Sequence, residues 1–153
     1  MSSFTTISIN TKPNDMKKII FSILMISPIL FSCKKDKKNC DLNSGNLAGT
    51  YKVTTVSYKA DAATAAVDEF ATWAPCEKDD NTVLNSNGIA NFNDVGTVCT
   101  PSGSDTLAWS LSGNQLIIGG DAGTVTAFDC NGMTLVYTGT TAGESTTFTL
   151  VRQ

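Results

Sequence analysis

Residues 106–118, TLAWSLSGNQLII, decide the fold because they have the pattern of two strands joined by a tight turn. Before the central Gly-Asn dipeptide, apolar residues alternate with small or polar ones, as in a strand with one buried face. A two-residue turn at that dipeptide pairs Leu111 with Leu116. It also pairs Trp109 with Ile118, so the apolar side chains share one face. The segment therefore predicts an antiparallel hairpin that covers a core.

The same pattern continues on both sides of this hairpin. Further strands are predicted at residues 49–58, 82–85, 89–94, 124–130, 133–138 and 145–152. Two Asn-Gly dipeptides predict two more two-residue turns. The first would pair Val83 with Phe92, and the second Phe128 with Leu135. Because short connections make sequence neighbours into spatial neighbours, we predict an all-β, eight-stranded antiparallel up-and-down barrel. A flat sheet or a sandwich is the alternative.

One short helix is predicted between the first two strands, at residues 61–73. Asp61 can cap its start, and Pro75 would end it. Its small and apolar residues, among them Phe70 and Trp73, recur at helical spacing on one face. We expect this helix to lie over the barrel as a lid.

Residues 16–33, MKKIIFSILMISPILFSC, have the layout of a bacterial secretion signal, which we expect to be helical. Two lysines precede an apolar run, and the sequence Leu-x-Ser-Cys ends at Cys33. This resembles the lipobox, in which the cysteine receives diacylglycerol and becomes the mature N-terminus. The alternatives are a membrane-spanning helix and cleavage without lipidation. The 13-residue apolar run would be about 20 Å long, against about 30 Å of hydrocarbon.

We therefore expect the chain to divide into four parts. These are residues 1–15, an extension from a misassigned start; 16–32, the lipoprotein signal peptide; 33–47, a lipidated tether; and 48–153, the barrel domain. After the signal peptide, eight basic and 13 acidic residues give a net charge of −5. Four of the lysines lie in the tether, where they suit either anionic head groups or a solvated spacer. Nucleic-acid binding is not expected, because it needs a basic face on the domain.

Four cysteines remain once Cys33 is assigned to lipid. They are Cys40, Cys76, Cys99 and Cys130. An even number in an exported protein predicts two disulfides, for which three pairings exist. The register of the first Asn-Gly hairpin, extended outward, brings Cys76 near Cys99. No metal site is expected, because the chain has no His and no cysteines at zinc-site spacing.

Several of these segments together resemble the bacterial lipocalin-like lipoproteins. The resemblance rests on the lipobox, Gly49-x-Tyr51, Trp73 with residues 75–80, residues 109–116 and residues 148–152. In lipocalins, an aromatic residue of the first strand closes the barrel floor, and an arginine of the last strand packs on its ring. The resemblance assigns these roles to Tyr51, which stands where lipocalins have Trp, and to Arg152.

The resemblance also implies a disulfide between Cys76 and Cys99, which leaves Cys40 to pair with Cys130. It covers almost the whole mature chain. Because this family is defined mainly by its shape, the resemblance implies a fold rather than an activity.

The sequence offers no catalytic set. Without His there is no Ser-His or Cys-His dyad, and every cysteine has another use. We therefore expect no enzyme and no cofactor. The densest acidic cluster, residues 77–80, is expected to be a solvated turn rather than a calcium site.

Two functions remain. The first is binding of a small apolar ligand inside the barrel, with Phe92, Trp109, Phe128 and Tyr137 as lining residues. Ordinary core packing is the other role open to each of these aromatic residues. The second function is a ligand-free interaction module, such as an inhibitor, that contacts a protein or glycan through its loops. In both cases we expect a monomer held by its lipid in the cell envelope, at the outer membrane.

Overall fold

In the computed structural model, which describes residues 40–153, nine strands follow one another along the chain. Their bounds are β1 Gly49–Lys59, β2 Val67–Asp68, β3 Asn81–Leu84, β4 Ile89–Asn93, β5 Asp105–Ser112, β6 Gln115–Ile118, β7 Asp121–Phe128, β8 Gly132–Thr138 and β9 Ser145–Arg152. Two one-turn α-helices, α1 at Ser44–Leu47 and α2 at Pro75–Lys78, and a 3₁₀ turn at Phe70–Thr72 complete the regular structure. The signal peptide and Cys33 lie outside the described residues. Within the described part, no helix is long and apolar enough to span a bilayer.

The first and last strands pair with each other, which closes the sheet into a barrel. β1 is antiparallel to β9 along eight residue pairs between Tyr51 and Lys59 of β1. The first residues of β1 pair with β3, and from β3 to β9 each strand pairs with the next. A bulge between Val53 and Thr55 lets β1 bend between its two partners. The predicted eight-stranded up-and-down barrel is confirmed, and β2 is a short addition at the end of β1.

The hairpin of residues 106–118 has its predicted register, whereas the two Asn-Gly hairpins do not. Trp109 lies opposite Ile118 as expected. Phe92, however, pairs with Thr82 and not with Val83. The reason is a three-residue loop, residues 86–88. The Asn85 amide donates to the Ile89 carbonyl across this loop, and Gly88, its last residue, has a φ of +82°. Such a loop shifts the register of the hairpin by one residue.

The second Asn-Gly prediction is wrong for a related reason. Phe128 pairs with Met133, and Leu135 lies opposite Val125, with a bulge between these pairs. The Asp129 carboxylate accepts hydrogen bonds from the two amides that follow Cys130, at 2.9 Å each. This side chain moves the turn back by one residue. The displaced glycine then lies within β8.

The helix predicted at residues 61–73 is absent. The Asp61 carboxylate does accept hydrogen bonds from the amides of Ala63 and Thr64, at 2.8 and 2.7 Å, as a helix cap would. The chain then turns back so that Val67 pairs with Tyr58 at the end of β1. Val67 is 54% exposed, so the expected apolar face is not buried. Pro75 begins α2 instead of ending a helix, in keeping with its preference for the first helical position.

One end of the barrel is closed by residues 44–48, which precede β1, and by Arg152, and we call it the sealed end. Leu47 and Tyr51 are fully buried there, and the Tyr51 hydroxyl donates to the Leu47 carbonyl at 2.8 Å. The Arg152 guanidinium lies 5.7 Å from the centre of the Tyr51 ring. The expected aromatic–arginine pair at the floor is therefore confirmed.

Three backbone carbonyls hold the Arg152 guanidinium in place. It donates to the carbonyls of Asn46 at 3.0 Å, of Cys130 at 3.3 Å, and of Ala48. A Cβ at Gly49 would lie 2.5 Å from the guanidinium, so only glycine fits beneath it. This contact explains the glycine of the Gly-x-Tyr motif.

We predict that Arg152→Ala lowers the free energy of unfolding by about 3 kcal/mol, because three charge-assisted hydrogen bonds and the contact with Tyr51 are lost. Arg152→Lys should recover less than half of this loss, since an ammonium group cannot reproduce the planar fork. Urea denaturation with intact disulfides measures both values. Lys52→Ala, near the start of β1, is the control and should change stability by less than about 0.5 kcal/mol. An Arg152→Ala midpoint equal to that of the control would contradict this account of the sealed end.

Candidate functional site

The barrel encloses a cavity of about 840 Å³ that opens at the end opposite the sealed end, which we call the mouth. The mouth is formed where β3 and β7 begin, at Asn81 and Asp121, and where β8 ends, at Thr138. Asp121 and Thr138 line the cavity and are exposed, so the cavity reaches solvent there. The volume is within the range of small-molecule pockets, about 300–1,000 Å³.

The deeper wall of the cavity is apolar. It is formed by Leu84, Met133, Leu135 and Leu150, which are all 7% exposed or less. These residues alternate along their strands with outward-facing ones, so the two-residue period brings them to one surface. The wall can therefore take up apolar atoms but offers no charge to them.

Aromatic side chains form the upper wall, nearer the mouth. Phe92, Tyr137 and Phe148 line the cavity, and the rings of Tyr137 and Phe148 meet edge to face with centroids 5.9 Å apart. Trp73 lines the mouth and lies 5.3 Å from the ring of Phe70. These faces would contact the part of a ligand that lies closest to solvent.

The Tyr137 hydroxyl is the one phenol of the lining, and it has no hydrogen-bond partner among residues 40–153. Burial, together with the negative charge of Asp121, raises the pKa of Tyr137 above its ordinary value. The phenol is therefore neutral at physiological pH and can donate or accept one hydrogen bond from a ligand.

The four aromatic residues expected to line a ligand site are not together. Phe92 and Tyr137 line the cavity. Trp109 is 6% exposed and its ring nitrogen donates to the Asn85 carbonyl at 2.9 Å, so it packs in the core. Phe128 borders a separate, shallower hollow of about 390 Å³. The alternation of Phe148 and Leu150 along β9 could have identified two further lining residues.

The rim of the mouth carries carboxylates. Glu77, Asp80 and Asp121 line the cavity there, and no Lys or Arg of the described residues does. Partial burial raises the pKa of Asp80, and the charges of Asp94, Asp79 and Glu77 add to this, although a hydrogen bond from the Val95 amide opposes it. Asp80 is thus held among like charges.

Carboxylates also organise the long loop between β4 and β5 beside the mouth. Asp94 accepts hydrogen bonds from the amides of Cys99 and Gly103, at 3.1 and 3.0 Å. Asp79 accepts from the Thr97 amide at 2.9 Å. The Cys76–Cys99 disulfide, with Cα atoms 5.4 Å apart, ties this loop to α2. In residues 40–153 no group of three potential metal ligands is close enough to hold an ion.

Comparison with protein families identifies the fold. The model of the family described as "Lipocalin-like domain" matches residues 47–150, which is more than half of the chain and includes β1 to β8 and most of β9. The chain belongs to the lipocalin-like domain family. A comparison with curated proteins finds no match.

The second disulfide of this lipocalin-like barrel joins Cys40 to Cys130, with Cα atoms 5.7 Å apart. Cys76–Cys99 thus has the pairing that the resemblance implied, and Cys40–Cys130 is the pairing that this left for the other two cysteines. Cys40–Cys130 ties the chain before β1 to the loop between β7 and β8 at the sealed end. Two disulfides are typical of proteins that fold outside the reducing cytoplasm, so they indicate an extracytoplasmic location.

Proposed function

We propose that this lipocalin-like protein binds one small apolar ligand in the cavity of its barrel. The observation that carries the proposal is the cavity itself, about 840 Å³ in volume and open at the mouth. Small eight-stranded barrels are often filled by their own side chains, and a filled barrel leaves no room for a ligand. The apolar wall of this barrel instead surrounds space that a molecule can occupy.

Burial of apolar surface would supply most of the binding energy. Each buried methylene group contributes about 0.8 kcal/mol, so a chain or ring system of moderate size suffices for micromolar affinity. The Cys40–Cys130 disulfide at the sealed end and the Cys76–Cys99 disulfide beside the mouth hold the barrel together, so the cavity is formed before a ligand arrives. A preformed cavity lowers the cost of binding, because little of the protein has to be ordered.

The alternative, a ligand-free interaction module, has less support. The large hydrophobic residues that are well exposed in the described part are Val67 in β2, Val98 in the loop between β4 and β5, and Val151 in β9. Single exposed valines are ordinary for a surface, whereas a docking face needs a contiguous apolar patch. Under the same proposal the protein is a monomeric binding protein and not an enzyme, in keeping with a fold that typically binds.

We predict that Thr146→Trp weakens binding of the neutral fluorophore N-phenyl-1-naphthylamine at least about tenfold. Thr146 lines the cavity near the mouth, and a tryptophan at this position would occupy the space of the ligand. Fluorescence enhancement of the probe, titrated against folded protein, measures the affinity.

Thr147→Trp is the matched control, because Thr147 is the next residue of β9 and does not line the cavity. Tryptophan is tolerated in strands at least as well as threonine, so both variants should fold. The proposal fails if the wild type gives no saturable enhancement, or if the two tryptophan variants bind the probe equally well.

We further propose that the protein is a lipoprotein of the bacterial cell envelope, anchored at the outer membrane through diacylglycerol on Cys33. The support is the lipobox sequence together with two disulfides, which form in an oxidising compartment. Seven peptide units separate Cys33 from Cys40 and span at most about 25 Å. Because Cys40 is bonded at the sealed end, such an anchor would hold that end, and not the mouth, close to the bilayer.

Cys33→Ser should abolish incorporation of a clickable fatty acid when the chain is expressed in a bacterium that processes lipoproteins. The physical reason is that only the thiol at this position accepts the diacylglycerol group. In-gel fluorescence after click labelling measures the incorporation, and Lys38→Ser in the tether is the control that should retain it. Equal labelling of the two variants would refute the anchor.

A further inference from the structure

We propose that the ligand of this cavity is an amphiphilic organic cation, an apolar body that ends in an ammonium group, rather than a fatty acid or another anion. This inference rests on the proposed ligand-binding function and specifies the charge of the ligand. It follows from the distribution of charge and of aromatic faces around the cavity.

The first observation is the sign of the charge at the mouth. The charged residues that line the cavity are Glu77, Asp80 and Asp121, and all three are acidic. An ammonium group at the mouth would lie among these carboxylates, whereas a carboxylate ligand would meet like charge. Glu77 and Asp121 are exposed, but Asp80 is partly buried, and charge repulsion is stronger there than in bulk water.

The second observation is that none of the Lys and Arg residues in the described part lines the cavity. Arg152 is at the sealed end, where three backbone carbonyls hold it. The Lys78 ammonium lies 5.4 Å from the centre of the Phe70 ring and donates to the Ala71 carbonyl at 3.3 Å. Lys52 and Lys59 belong to β1 and do not line the cavity. An anionic head group would therefore find no partner in the lining.

The third observation is that aromatic side chains accompany the acidic ones. Trp73 and Tyr137 line the cavity on the side of the mouth. Faces of aromatic rings attract ammonium groups, and this attraction grows when water is excluded. The Tyr137 hydroxyl, which has no partner in the described residues, can accept a hydrogen bond from a primary ammonium.

The raised pKa of Asp80 agrees with this arrangement of charges. Partial burial and the neighbouring charges of Asp94, Asp79 and Glu77 raise its pKa, so the ionised carboxylate is disfavoured where it stands. A bound cation would relieve this repulsion, and no cationic side chain of the lining does so.

The test uses three ligands with the same apolar chain: decyltrimethylammonium, decan-1-ol and decanoate. The experiment measures how well each ligand displaces N-phenyl-1-naphthylamine from the full-length mature chain, with every ligand kept below its own micellar concentration. At low salt we expect decyltrimethylammonium to bind about tenfold more tightly than decanoate, with decan-1-ol between them. At high salt the ratio should fall to about threefold or less, because ions screen partly exposed charges.

Charge-removing variants locate the effect. Asp121→Asn should reduce the ratio between cation and anion by about twofold to threefold, and it should fold, because the Asp121 carboxylate makes no hydrogen bond to any of residues 40–153. Glu77→Gln/Asp80→Asn/Asp121→Asn should bring the ratio close to one. Asp41→Asn is the control, since Asp41 is exposed and at the sealed end, and it should leave the ratio unchanged.

The outcomes separate the two proposals. If decan-1-ol displaces the probe but decanoate binds as tightly as decyltrimethylammonium, the inference is wrong and the ligand-binding function stands. An unchanged ratio in the Asp121→Asn variant also overturns it. If the probe does not bind, or decan-1-ol cannot displace it, the proposed function is wrong and the inference falls with it.

Discussion

The pairing of β1 with β9 is the constraint on which the rest of this structure depends. Without it, the strands would form an open sheet with two unpaired edges and no enclosed space. The pairing also carries the residues that close the barrel, because it sets Tyr51 opposite Arg152. Closure thus creates the lumen and fixes the contact that seals one end of it.

The two ends of the barrel differ in chemistry because they are built from different parts of the chain. The sealed end has a buried tyrosine, an arginine that satisfies three carbonyls, and the Cys40–Cys130 disulfide. The mouth has carboxylates, aromatic faces and a loop tied by Cys76–Cys99. Under the proposed function a ligand would enter at the mouth, and the charge there would bear on which ligands bind.

The sequence predicted the architecture better than the details, for reasons that particular residues show. Alternating apolar residues around Gly113 determine both face and register, so that hairpin was predicted correctly. At Asp129, a side chain bonds to the backbone and moves the turn, which alternation cannot reveal. The helix predicted at residues 61–73 is absent because the chain turns back after Asp61 and pairs Val67 with Tyr58, a contact that helical spacing within the segment cannot reveal. Alternation also gives the face of a residue but not its depth along the barrel. This is why Tyr137 lines the cavity while Trp109 packs beside the turn at Asn85.

The most direct test of an accessible lumen is to observe which methyl groups a bound probe touches. In NMR spectra of methyl-labelled protein with N-phenyl-1-naphthylamine, the account predicts nuclear Overhauser effects from the probe rings to Leu84, Met133 and Leu135, which line the cavity. Effects confined to Val67, Val98 and Val151, which are exposed on the surface, would contradict it.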